Sequence, residues 1–208
     1  ARSGEAPTGV LVMAYGGPDS LDDLPGYLSD IRSGRPTTPA VLEEIGNNYT
    51  QIGGKSPLRG ISEAQVAALA EHFDPEKYRF YLGMRHWSPW IEDAVREMLD
   101  DGIRRAVSLV LAPHFSKLSI AKYQAKIAAG MEMYHGHIQF AHVESYYDAP
   151  GLIQALANRV GRRFDPRQFV DETLGASAGE RTRFMVNGAD SRQQGMTLAL
   201  MAPEFQRR

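Results

Sequence analysis

The residues able to do chemistry here are tyrosines, histidines and arginines, because the 208-residue chain contains no cysteine. A thiolate nucleophile, a thiolate zinc site, an iron–sulfur cluster and a disulfide framework are thereby excluded for this chain. Four places put an aromatic or imidazole side chain just after a short apolar run. GVLVMAY ends in Tyr15 and is followed by Gly16-Gly17, and YRFYLGM leads into Arg85-His86-Trp87. AVSLVLA leads into Pro113-His114-Phe115-Ser116, and IQFAHVE into Ser145-Tyr146-Tyr147-Asp148. Phenol and imidazole groups in such a setting suit a large flat ligand with a few coordinating or hydrogen-bonding groups. Arg32 and Arg35, beside Gly34, have the forked geometry that clamps a carboxylate through both oxygens.

Each feature has an ordinary alternative. A single histidine such as His86 or His114 is more often held by a neighbouring backbone group than bound to a metal. Tyr15 can be a core tyrosine with its hydroxyl bonded, and surface arginines are commonly just solvated. His135 and His137 flank Gly136 in a surface turn, and His72 and His142 belong to secondary structure. Gly16-Gly17 lacks the GxGxxG spacing of a dinucleotide site and is otherwise a turn. The set outweighs any member, provided one edge of the fold receives them all.

The elements that would position them alternate between two periods. Residues 9–15, 78–84, 106–112 and 138–144 read as strands. Between them, Ile61, Ala64, Val66, Ala68, Leu69 and Phe73 share one helical face, and Ile91, Ala94, Val95, Met98 and Leu99 share another that stops at Gly102. Further helical runs cover 120–133 and 152–163. Strands alternating with helices at this spacing predict an α/β fold with a parallel sheet and right-handed crossovers. In such sheets ligands bind beyond the carboxyl ends of the strands, where the Tyr and His residues fall. A short helix ending near Ile31, a turn at Pro36 and Pro39 before 41–49, and a second glycine loop, Gly53-Gly54-Lys55-Ser56-Pro57-Leu58, crowd the first crossover. Two glycine loops there exceed what a connection requires, which points to binding. Beyond Asp165-Pro166 the pattern weakens: a helical turn or two over 169–174, a weak strand over 183–186, a loop in NGADSRQQG, and an apolar LALMAPEFQRR without an evident partner.

Charge and composition close off other classes. The 23 basic and 25 acidic residues leave a formal charge of -2, against the basic excess of a nucleic-acid or anionic-membrane binder. A 43% apolar content supports a substantial core. The longest clean apolar run, 107–113, falls well short of the roughly twenty residues of a membrane span. ARSGEAPTG has no apolar signal core, so the expected location is cytoplasmic.

AYGGPDS, DIRSGRP, IGGKSPL, YLGMRHWSPWIEDAV, LVLAPHFSKLSIAKY and VESYYDAP, in this order, resemble the first half of the ferrochelatase family, over about residues 9–164. The resemblance implies two similar doubly wound α/β halves around a porphyrin cleft, and insertion of ferrous iron into that porphyrin during haem synthesis. Iron is then a substrate, and no prosthetic group is expected. Tyr15 is similar to the tyrosine of the coproporphyrin-dependent branch, whose hydroxyl faces the macrocycle and ligates product iron axially. The resemblance further implies porphyrin or propionate contacts for Ile31, Arg32, Arg35, Ser56 and Tyr123. It places His86 near the side of metal entry, as the weak candidate for a catalytic or metal-side group, and gives His114 and Ser116 a supporting role. The family's metal-binding histidine lies in an AHSLP motif after the first strand of its second half, with a partner glutamate much further on. That strand would be 183–186, yet Asn187-Gly188-Ala189-Asp190-Ser191 follows it. The expected organisation is therefore a disordered start at 1–8, a chelatase-like α/β domain over 9–150, and a linking helix with a truncated second half over 151–208. Alternatives are a non-catalytic porphyrin- or haem-binding module, and a half-chelatase completed by a second copy or a complementing half.

Overall fold

β1 (Thr8–Ala14), β2 (Tyr78–Met84), β3 (Arg105–Val110) and β4 (Gln139–Val143) are the four apolar runs of the sequence, moved at their ends by two residues at most. In this computed structural model, which describes residues 6–114, 119–161 and 164–206, they form one parallel sheet in the order β2-β1-β3-β4. Four consecutive β1 residues, Leu11–Ala14, are buried, as a central strand covered on both faces requires. The chain steps one way from β1 to β2 and the other way from β2 to β3 and β4. Right-handed crossovers then place the first connection on one face and the next two on the other. The first carries α1 (Leu24–Ile31), α2 (Pro39–Gln51) and α3 (Leu58–Ala70); the others carry α4 (Ile91–Asp100) and α5 (Ile120–Met133). The result is the doubly wound α/β arrangement expected from the sequence.

Packing follows the same division. Leu11, Met13, Tyr81, Ala106 and Val110 of the sheet meet Ile91, Ala94, Val95 and Met98 of α4 and Ile120, Tyr123 and Ile127 of α5 in one cluster. Spacings of three and four on both helices put these side chains on single stripes. Glu92 and Asp93 favour the amino end of α4 through its dipole, and Gly102, at φ 74°, ends the turn beyond it. On the other face Phe73, just past α3, packs edge-on against Tyr78 and tilted against Phe80, with ring centroids 5.1 and 5.4 Å apart. The apolar face expected on α3 is met in part: Val66 and Leu69 are half-buried, while Ala64 and Ala68 are exposed. Ile61 is 51% exposed, and the buried side chain is its neighbour Ser62. Ala and Gly on either side blur the stripe that sequence periodicity relies on.

The chain divides into two compact units, Ala1–Glu144 and Ser145–Arg208. The second holds α6 (Pro150–Gly161), α7 (Pro166–Thr173), a 3-10 turn (Gly175–Ser177), α8 (Glu180–Asn187), α9 (Arg192–Met201) and α10 (Pro203–Gln206), and no strand among the described residues. The strand expected at 183–186 is therefore the body of α8. Thr182 and Val186, one turn apart, are its buried positions, and a four-residue apolar run cannot by itself tell the two periods apart. The segment expected to be loop starts α9, where the Ser191 hydroxyl accepts from the Gln194 amide as an N-cap. The apolar tail has its partners after all. Met196 and Leu200 pack on Ile153 and Ala157 of α6, and Ala199 packs with Val170, Leu174 and Val186. β1 begins at Thr8, inside the stretch expected to be disordered.

Met98, fully buried between α4 and β1, sets a clear test. Met98→Ala should lower unfolding free energy in urea by about 2–5 kcal/mol, whereas Ile61→Ala should stay within about 0.5 kcal/mol of wild type.

Candidate functional site

Parallel pairing carries β1 and β2 to a common rim and continues past their ends. Ala14 lies opposite Met84; beyond it the Arg85 amide donates to the Ala14 carbonyl at 3.0 Å and the His86 amide to the Tyr15 carbonyl at 2.9 Å. The backbone thus sets Tyr15 and His86 side by side. Their ring centroids are 4.6 Å apart at an interplanar angle of 50°. Tyr15 is 44% exposed, and its hydroxyl has no hydrogen-bond partner among the described residues.

Two glycines make the turn that frees the phenol. Gly16 has φ 92°, and a Cβ there would stand 2.9 Å from the Trp87 amide nitrogen. A Cβ on Gly17 would stand 2.5 Å from both Cβ and Oγ of Ser56. The glycine loops on either side of the first crossover therefore touch, and the Ser56 amide donates to the Pro18 carbonyl at 2.9 Å. Ser56 Oγ accepts from the Leu58 amide at 3.3 Å.

His86 is 8% exposed. Its Nδ1 lies 2.7 Å from Oδ2 of Asp30, in the last turn of α1. Burial lowers the imidazole pKa below the ordinary value, the Asp30 hydrogen bond works against that shift, and the Arg85 charge adds to it. The Arg85 guanidinium sits over the Tyr123 ring, 5.5 Å from its centroid. Tyr123 is buried on α5, and burial pushes its phenol up to about 12. Tyr27, also buried, donates at 3.5 Å to the Gly16 carbonyl and meets the Trp87 ring edge-on. Its phenol is driven well above the ordinary range by burial first, then by the Tyr49 and Tyr15 phenols.

The sequence-predicted residues divide accordingly. Tyr15, His86 and Ser56 come together with the two glycine turns, and Tyr123 joins them through Arg85. Ile31, Arg32 and Arg35 line, with Ser33, a shallow concavity of ≈ 260 Å³ at the end of α1. Arg32 there donates to the Pro36 carbonyl at 3.3 Å, and both arginines are exposed. His114 lies exposed beyond β3, while Ser116 falls outside the described residues. Tyr146 and Tyr147 belong to the second unit. His135, at φ 50° in the turn after α5, and His142, bonded at 2.6 Å to Ser108, follow their ordinary readings. His72 stands in the turn after α3. Sequence reasoning missed Asp30 and Tyr27. Tyr27 was visible as a member of the Leu24, Tyr27, Leu28 stripe of α1, whereas nothing local marks Asp30 as the partner of a histidine 56 positions away.

Chemically, the rim offers an unbonded phenol beside a half-clamped imidazole, with guanidinium groups nearby. Among the described residues no three His, Asp or Glu side chains converge to hold a metal ion.

The family model described as Ferrochelatase matches residues 7–177. A ferrochelatase of Deinococcus radiodurans is 60% identical over 158 residues, 75% of this chain and 50% of that protein. A coproporphyrin III ferrochelatase of Staphylococcus epidermidis is 38% identical over 172 residues, covering 80% of this chain and 55% of the relative. Another of that name, from Bacillus pumilus, is 41% identical over 156 residues, 73% and 50% of the two chains. The chain spans about half the length of these curated relatives.

Gly16→Ala should cost about 1–3 kcal/mol of stability by denaturant titration, since a side chain at that φ is strained and meets the Trp87 amide. The same variant should weaken the cross-peaks between the Tyr15 and His86 rings in a nuclear Overhauser spectrum.

Proposed function

Since this chain belongs to the ferrochelatase family, we propose that it supplies the Tyr15-bearing wall of a site that inserts ferrous iron into coproporphyrin III. The reaction forms metal–nitrogen bonds, a lyase chemistry, and serves haem synthesis. The observation that carries this reading is the Tyr15–His86 pair at the sheet rim, with an exposed phenol that no group among the described residues satisfies. Two oxygen or nitrogen donors do not cage a ferrous ion. One of them, the exposed phenol, suits the single axial position on one face of an ion whose other donors are the four ring nitrogens of a porphyrin. Iron is then a passing substrate, and Tyr15 ligates it axially once it sits in the ring. The name of the Staphylococcus and Bacillus relatives supports coproporphyrin as the substrate.

The other residues take roles that their chemistry allows. Arg32 and Arg35, exposed on the concavity at the end of α1, receive propionates, and Ile31 packs against the edge of the macrocycle. Ser56 contributes a hydroxyl beside the glycine turns, and Tyr123 backs the wall beneath Arg85. Bending the macrocycle so that a nitrogen lone pair leaves its plane draws on binding energy from such remote contacts. Removal of the pyrrole protons needs a base of suitable pKa, and His86 is the side chain placed for it on this wall. A second copy of the chain, or a complementing half, supplies the opposite wall. The donor set also favours a second reading, a porphyrin- or haem-binding module without turnover.

The purified chain mixed with coproporphyrin III and ferrous iron under anaerobic conditions tests both. Insertion that rises with the square of chain concentration supports a paired site. A Soret shift without insertion supports the binding module, and no spectral change overturns both. With ferric coproporphyrin III added directly, the wild-type chain should show a tyrosinate charge-transfer band that Tyr15→Phe abolishes.

A further inference from the structure

The neutral imidazole has one donor and one acceptor nitrogen, and which is which depends on what the other side chains offer. At His86 the choice is made by a carboxylate. Asp30 Oδ2 stands 2.7 Å from Nδ1, and a carboxylate can only accept, so Nδ1 carries the hydrogen. No protein group among the described residues pairs with Nε2. The imidazole is 8% exposed and packed against the Tyr15 ring, so it cannot turn over freely within its site. Asp30 itself is held at the carboxyl end of α1, anchored by buried Leu24, Tyr27 and Leu28. Three elements therefore agree on one orientation: α1 supplies the carboxylate, β2 the imidazole and β1 the neighbouring ring.

We propose that Asp30 is a positioning residue that fixes His86 with Nε2 as an acceptor, and that this acceptor selects the unmetallated macrocycle. A free-base porphyrin carries two ring N–H donors, and its metal complex carries none. An acceptor held beside the phenol that faces the ring hydrogen-bonds the first and gains nothing from the second, whose one axial site on that face the Tyr15 phenol takes. The His86 contact thereby favours substrate over product and offsets the hold of Tyr15 on the product iron, which favours release after insertion. This inference rests on the porphyrin reading of the site and adds to it a residue, a tautomer and a direction of selectivity.

Two measurements on the full chain test it. In ¹⁵N-labelled protein without porphyrin, His86 should show a protonated Nδ1 and an unprotonated Nε2. Asp30→Asn can accept or donate at Nδ1, so a population with protonated Nε2 should appear; Asp30→Glu should restore the wild-type pattern. Binding is then titrated with free-base coproporphyrin III and with copper(II) coproporphyrin III, whose square-planar metal makes little demand for an axial ligand. Asp30→Asn should weaken the free base about tenfold, as loss of an orienting carboxylate commonly does, and leave the copper complex within about twofold. An unchanged tautomer in Asp30→Asn and Asp30→Ala overturns the positioning role. A changed tautomer with equal loss for both porphyrins overturns the selectivity. Failure of wild type to bind either porphyrin rejects the porphyrin reading and the selectivity with it, while the tautomer pattern still decides the role of Asp30.

Discussion

Everything at the rim depends on a hydrogen-bond ladder that does not stop where its strands stop. The β1–β2 pairing ends at Ala14 opposite Met84, and two further amide bonds, from Arg85 and His86, extend it into the turns. Side chains placed by a ladder need no contact of their own to stay in register. Among the described residues this leaves the Tyr15 hydroxyl and His86 Nε2 without partners, while Asp30 alone bonds the imidazole from the side, at Nδ1. A site assembled from mutually hydrogen-bonded side chains would have spent those groups on one another.

The same ladder explains the glycines. A chain leaving β1 beside the end of β2 must turn where the Trp87 amide already occupies the space a side chain would take, and Gly16 answers with positive φ. Gly17 then lets the Ser56 loop close on the turn, so a residue forty positions away becomes part of the rim. Buried phenols at 27 and 123 and the tilted ring at 86 stiffen the floor beneath. Charge enters from the periphery, through Arg85 over Tyr123 and the arginines beyond α1. Apolar support under a few aimed polar groups is the usual build of a ligand site.

Much of this was legible in the sequence, and for a physical reason. β1 to β3 and α4 to α6 bury one stripe or one run each, β4 half-buries Phe140 and Val143, and burial of that kind leaves a period in the chain. The face of α3 was legible only in part, at Val66 and Leu69, because alanines populate both sides of the helix and weaken the contrast. α8 was misread because Arg183–Val186 is too short to show its period, and its neighbour Thr182 is buried through a hydroxyl bonded to Glu204 rather than by apolar character. At the site, residues announced by a strand end were found. Asp30 was not, because its meaning lies in a contact across 56 positions, and a carboxylate near a helix end looks the same whether it faces water or an imidazole.

One wall also sets a limit on what this geometry can do. A flat ligand resting on Tyr15 and His86 feels force from one side, and a ring pressed from one side moves away rather than bends. Distortion needs an opposing surface that blocks that retreat, so binding energy becomes strain only when the ligand is gripped from both faces. Selective recognition has no such requirement, since a hydrogen bond to a ring N–H is made or lost on one face alone. On the porphyrin reading proposed above, one wall is sufficient to choose a macrocycle by its protonation and metal content. Conversion of that choice into metal insertion requires a second surface across the slot, and the resulting activity would scale with whatever brings that surface there.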